Sequence, residues 1–178
     1  EPLTMPHTLT DRRYVVQKST AATLGFAATL AVARRVINQY EETLPGRAKQ
    51  YRQAALKAWR WAQKNPNAIF EQPSGFYTGM YRLKGDDYQD EWNWARAELF
   101  VLTGDAKFLE SYALPSETRL PEWSDVEILG LLALANSDQT PAALKTDVLQ
   151  NLKRTATRWS QEAEKSGYGV AMFGKDFR

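Results

Sequence analysis

Three stretches of this chain read as helices without a polar face, and no other feature limits the fold as strongly. The first carries Ala21, Ala22, Leu24, Phe26, Ala27, Ala28, Leu30, Ala31, Val32 and Ala33, with only scattered threonines between them. The second carries Trp92, Trp94, Ala95, Ala97, Leu99, Phe100, Val101 and Leu102, with Arg96 and Glu98 the only charges among them. The third is Val126, Ile128, Leu129, Gly130, Leu131, Leu132, Ala133, Leu134 and Ala135. A helix apolar on nearly every side must be surrounded by protein. Three of them in 178 residues leave little material to do the surrounding.

Start and stop signals bound these helices. Ser19-Thr20 can cap the first, which is expected to run to about Tyr40. Asp86, Asp87, Asp90 and Glu91 place negative charge at the start of the second, and these acid pairs are read as helix-start charge rather than catalytic pairs. Gly104 suits the left-handed conformation that stops a helix. Ser124-Asp125 opens the third.

Two further helices are amphipathic. One starts near Pro45 and ends before Asn65-Pro66; Tyr51, Ala54, Ala55, Ala58, Trp59 and Ala62 recur at three-and-four spacing, opposite Arg47, Lys49, Arg52, Gln53, Lys57, Arg60 and Lys64. The other starts at Thr140-Pro141 and sets Leu144, Val148, Leu149, Leu152, Ala156, Trp159 and Ala163 against Lys145, Asp147, Lys153, Arg154 and Arg158. A short helical piece is expected at 107–112. Residues 1–17 read as an extended arm, 65–85 as a long glycine-bearing loop, and 167–178 as a loop tail with at most one short strand.

The order enclosed, amphipathic, enclosed, short, enclosed, amphipathic is met most simply by helical hairpins in two layers, an inner ring covered by an outer ring. The expected class is all-α, with hairpins over 18–166 that close about half of such a ring. The covering protein missing from this arrangement is expected outside the chain, whose start at Glu1-Pro2 reads as processed or internal to a longer protein.

Composition excludes several functions. A net charge of +2 with 25% charged residues gives no polyanion-binding surface, so no nucleic-acid partner is expected. Without cysteine, and with His7 the only histidine, neither a thiolate nor a histidine cluster can hold a metal; no acidic run has calcium-loop spacing, and no metal or cofactor is assigned. The longest apolar run, 20–33, falls short of the roughly 18 residues of a membrane span. His7 reads as a loop hydrogen-bonding group, and the pairs Arg12-Arg13 and Arg34-Arg35 as solvated or ion-paired.

Several blocks together resemble glycoside hydrolase family nine: Ser19-Thr20-Ala21-Ala22 with Phe26-Ala27-Ala28, Ala58-Trp59-Arg60-Trp61-Ala62 with Asn65-Pro66-Asn67, Gly75 through Gly79 with Tyr81, and Asp90-Glu91-Trp92-Asn93-Trp94-Ala95 followed by Ala97-Glu98-Leu99 and Thr103-Gly104-Asp105. They keep the family's order and spacing over most of the chain. The resemblance implies an (α/α)6 toroid of six inner and six outer helices, and hence that residues 1–178 are part of a catalytic domain. It also implies inverting hydrolysis of β-1,4-linked glucans such as cellulose and cello-oligosaccharides. Exo-acting hydrolysis of glucosamine-containing or chito-oligosaccharides is the alternative within the family, and a non-catalytic helical binding module is the alternative outside it.

The family's catalytic base lies in an Asp-Ala-Gly-Asp motif and its acid is a Glu near the domain's C-terminal end. Neither motif occurs here, so no catalytic residue is assigned and the chain alone is expected to be inactive. Its expected partners are a β-glucan oligosaccharide and the remainder of its own catalytic domain, in a secreted or periplasmic protein. Its expected contribution is sugar binding, because pyranose rings stack their apolar faces on aromatic side chains. Phe76, Tyr77 and Tyr81, in the long loop, either meet sugar or pin the loop to the domain. Trp123 and Asp125 resemble the family position where a Trp followed closely by Asp lines a sugar subsite; the alternative for Trp123 is a hydrophobic staple. Trp92 and Trp94 must face different directions, so at most one reaches a cleft, and Trp59, Trp61 and Trp159 read as packing.

Overall fold

In the computed structural model the described residues are 17–70, 88–119 and 125–170, together with Thr8, Thr10 and Val15. They form five α-helices and no strand: α1 (Thr20–Ile37), α2 (Arg47–Lys64), α3 (Gln89–Thr103), α4 (Glu127–Ala135) and α5 (Ala142–Lys165). The short piece expected at 107–112 is a single 3-10 turn, Ala106–Phe108.

The helices pack in the spatial order α2, α1, α3, α4, α5, with α2 also touching α3. Side-chain partners give their directions. Gly25 faces Trp94 and Arg35 pairs with Glu98, so α1 and α3 run parallel. Asp90 reaches Val126 and Asn93 reaches Glu127, so α3 and α4 run parallel too. By contrast, Thr20 at the start of α1 bonds Asn65 and Ala68 after the end of α2. Asn151 near the middle of α5 and Arg158 in its second half bond the segment before α4, and the short link 136–141 joins the end of α4 to the start of α5. The outer helices therefore return antiparallel to the inner ones. Three parallel inner helices backed by two returning outer helices are an arc of a double-walled α/α ring.

The core forms where the two walls meet. Leu24, Leu99 and Leu131, one from each inner helix, are wholly excluded from water at 0% exposure. Trp59 of α2 meets Trp92 of α3 edge-on at 5.2 Å and Phe108 at 5.6 Å. Arg96 lies over Trp92 at 5.2 Å, so its charge rests on an aromatic face. The other charge of the enclosed run, Glu98, is 4% exposed and pairs with Arg35 of α1 at 2.6 Å. Arg35 is thus one of the paired arginines.

Two helix ends follow the local chemistry. The Ser19 hydroxyl accepts from the Ala22 N–H at 3.3 Å, capping α1. Gly104 closes α3 at φ 72, in the left-handed region, and its N–H donates to the Phe100 carbonyl at 2.7 Å.

Three readings of the sequence change. Of the three helices without a polar face, α3 alone is enclosed here, with no exposed residue from Asp90 to Thr103. Helix α1 leaves Phe26 (53%) and Val36 (51%) in water and α4 leaves Leu132 (42%), because the chain supplies neighbours to only part of their circumference. The stripe of α5 is rotated: Leu149 and Ala156 are exposed, while Asn151 and Thr155 are buried with Val148. The reason is polar. Asn151 donates to the Pro115 carbonyl at 2.6 Å and accepts from the Thr118 hydroxyl at 2.7 Å, fastening the preceding loop to α5. Finally, the helical stretch Thr20–Tyr40 is long and apolar enough, by those measures alone, to cross a membrane. The apolar run stops at Ala33, but averaging over the longer helix outweighs its two arginines. Leu24, Ala27, Ala28 and Ala31 are buried where the helix packs on α2 and α3, and about 33% of the apolar window is buried in all.

Candidate functional site

Parallel inner helices collect their N-termini at one end, and the connections from outer to inner helices arrive there. The start of α1 is tied to the chain leaving α2. Thr20, at 0% exposure, donates its hydroxyl to the Asn65 carbonyl at 2.6 Å and accepts from the Ala68 N–H at 2.9 Å. The Gln17 amide donates to the Ile69 carbonyl at 2.9 Å.

At the starts of α3 and α4 the acids act as hydrogen-bond acceptors for nearby groups. The Asp90 carboxylate accepts from the Val126 N–H at 2.9 Å, so an acid in the first turn of α3 caps α4. Asp125 accepts from the Glu127 N–H at 3.2 Å, and Glu127 accepts from the Asn93 amide at 2.8 Å. Burial, reinforced by the charge of Glu127, pushes the Tyr112 hydroxyl well above its ordinary range, so it stays protonated. The Asp90 and Asp125 carboxylates hold backbone in place. None of these contacts identifies a carboxyl pair for acid-base chemistry.

The inner face of the arc carries a second feature, a groove of about 500 Å3 lined by Val32 and Arg35 of α1, Trp94, Glu98 and Val101 of α3, and Leu129 and Leu132 of α4. The Trp94 indole N–H donates to Glu98 at 3.4 Å. Burial holds the Glu98 carboxyl above the usual carboxylate range, and the Arg35 guanidinium and the Trp94 N–H draw it back. Trp92 and Trp94 do point apart, the first to the outer wall and the second to this groove.

Of the candidate sugar-binding residues, Phe76, Tyr77, Tyr81 and Trp123 lie outside the described residues, as do His7, Asp86 and Asp87. Asp125 is half-buried beside the start of α4, next to the residue that Asp90 holds. Trp59 is buried in the core, and Trp61, half-buried on α2, has the Lys18 ammonium 5.0 Å from its ring. Asn93 was not a candidate, yet it is 1% exposed and holds four hydrogen bonds. The signal for it was present: an amide within a largely apolar, enclosed run must be satisfied by partners.

The layout defines an all-α protein of the inner-and-outer-ring kind, with three parallel inner helices and two returning outer ones. The chain belongs to glycosyl hydrolase family 9, whose sequence profile matches residues 3–175. It is 34% identical over 177 residues to a xyloglucan-specific endo-β-1,4-glucanase of Bacteroides ovatus, covering 89% of this chain and 30% of that protein. It is 30% identical over 173 residues to endoglucanase D of Acetivibrio thermocellus, covering 93% of this chain and 27% of the relative. Among solved structures, a Bacteroides ovatus family 9 protein superposes with a TM-score of 0.83 at 30% identity, over 96% of this chain and 33% of the other. A metagenome-derived family 9 endoglucanase gives a TM-score of 0.79 at 26% identity, over 92% and 30%. The chain thus spans about 30% of the length of the curated relatives it matches.

Proposed function

We propose that residues 1–178 form an arc of an (α/α)6 catalytic domain that hydrolyses β-1,4-linked glucans with inversion. The observation that carries this is the parallel run of α1, α3 and α4 in a family 9 sequence that spans under a third of relatives named endoglucanases. Inversion needs one carboxyl to protonate the leaving oxygen and another, about 6.5–9.5 Å away, to activate water. Asp90, Asp125 and Glu127 each accept a hydrogen bond that holds local structure, so the proposal assigns the reacting pair to the rest of the domain.

In this reading the arc supplies the floor of the sugar site. Phe76, Tyr77, Tyr81 and Trp123 offer stacking faces, and Asp125 offers a carboxylate for sugar hydroxyls. The partners are a β-glucan oligosaccharide and the remainder of the same domain, which covers Phe26, Leu132 and the inner groove. A secreted or periplasmic location follows from the substrate, since a glucan polymer does not cross a membrane.

The test is sugar release by the full-length protein from cellodextrins beside chitosan oligomers. Release from cellodextrins is expected. Release from chitosan oligomers alone would move the substrate to the glucosamine-containing class, and release from neither would refute the enzyme reading in favour of a binding module.

A further inference from the structure

Helix α1 carries two lines of side chains at the spacing by which helices pack side by side. On its buried side Leu24, Ala28 and Ala31, each at 0% exposure, lead to Arg35, which pairs with Glu98 of α3. Alternating steps of four and three residues keep such a line on one face. Ala22, Phe26, Thr29, Ala33 and Val36 repeat the pattern. At 3.6 residues per turn the two lines stand about 150° apart around the helix. The second line is open: Ala22 and Thr29 are exposed, Ala33 is half-buried, and Phe26 and Val36 are 53% and 51% exposed.

The neighbours of α1 say what the open line fits. Helix α3 is enclosed because an inner helix packs on each side of it, α1 and α4, whereas α1 packs on α3 and on its outer partner α2. The open line borders a groove of about 430 Å3 between α1 and α2, walled by Ala22, Phe26, Ala58 and Trp61. Lys18 and Lys57 also line it, and neither ammonium belongs to an ion pair among the described residues. An apolar slot beside two ammonium groups complements an apolar side chain next to a carboxylate. Acids are favoured in the first turn of a helix, where α3 has Asp90 and Glu91. Lys18 immediately precedes the Ser19 cap of α1, so a helix running parallel to α1 would bring its own first turns beside these lysines.

We infer that the open line of α1 is the docking seam for one further inner helix, parallel to α1. It runs along Ala22 to Val36, seats an apolar side chain in the groove between α1 and α2, and brings an acid of its first turns to Lys18 and Lys57. That this helix belongs to the remainder of the same domain rests on the function proposed above. The seam itself rests on α1 alone.

The experiment uses the full-length protein. A photoreactive benzoylphenylalanine replaces Phe26 or Val36, and mass spectrometry maps the crosslinked peptides. Both probes are expected to reach a single segment outside residues 1–178, at sites about ten residues apart and in the same chain order as Phe26 and Val36. An Asp or Glu is expected within about two turns before the site that meets Phe26. Thiol labelling of Thr29→Cys is expected to be at least about tenfold slower than that of Arg60→Cys, an exposed position of α2. Crosslinks to residues 1–16, to a second copy, to two separate segments or in reversed order overturn the seam, as do an absence of crosslinks and labelling of Thr29→Cys as fast as Arg60→Cys. A mapped segment without that acid overturns the charge pairing. If the probe at Val36 prevents folding, Tyr40, another exposed aromatic four residues further on, carries it instead. A full-length protein that releases no sugar refutes the proposed function, and the crosslinks still decide the seam.

Discussion

Replacing Gly130 with alanine is expected to destabilise the fold, although the change improves helix propensity by about 1 kcal/mol. Gly130 of α4 faces the backbone of α3. A β-carbon built on it would stand 3.2 Å from the Trp94 α-carbon and 3.4 Å from both the Asn93 carbonyl oxygen and the Trp94 nitrogen. These are backbone atoms of a helix boxed in by α1, α2 and α4, so no side chain can rotate away to make room. The helices must part by a few tenths of an ångström, and overpacking of this kind costs about 1–3 kcal/mol. The net expectation is a loss of about 1 kcal/mol, or about 2–4 °C in Tm for a chain of this size. Gly25 provides the control. Its β-carbon would meet only the Trp94 ring, at 4.0 Å, which is ordinary contact. Gly25→Ala should therefore gain up to about 1 kcal/mol and raise Tm. Denaturant titration of the wild-type chain and the two variants reads both numbers. If Gly130→Ala proves as stabilising as Gly25→Ala, α3 and α4 are not in close backbone contact and the reasoning fails.

Glu98 makes stability depend on pH in the sense opposite to most carboxylates. Burial raises its pKa in the folded state, so its contribution is fully present below the ordinary carboxylate range and is lost as pH rises through the raised value. Wild type should lose stability relative to Glu98→Gln as the pH increases through that window; a flat difference across a pH series of unfolding curves, or one of opposite sign, would contradict the assignment. The isolated chain should bind hydrophobic dyes and self-associate through the faces bearing Phe26, Val36 and Leu132, which are 53%, 51% and 42% exposed. A dye-silent, monodisperse monomer in sedimentation experiments would show that these faces need no cover.

Much of the fold was legible in the residues themselves. The Ser19 cap, the Gly104 stop and the apolar stripe of Ala55, Ala58, Trp59 and Ala62 are local signals, and local structure follows them. What escaped are contacts between distant parts of the chain. The start of α4 is capped by Asp90, 36 residues away, and no pattern within α4 announces that. Periodicity alone put Leu149 inside and passed over Asn151, because it counts apolar residues and ignores a buried amide with two partners on another segment. Near the candidate site, the Asn93 amide bonds Ala113 and Glu127, 20 and 34 residues away, and no local pattern around Asn93 specifies those partners.

The order of contacts also bears on how the arc comes to exist. Each helix packs on one adjacent in sequence or on the next but one, so no helix waits for a distant partner before it can dock. A chain of this design can assemble stepwise during synthesis, each hairpin closing onto the last as it emerges from the ribosome. The vulnerable moment comes at the growing edge, where the newest inner helix has only one neighbour and its apolar flank is still open to any other chain nearby.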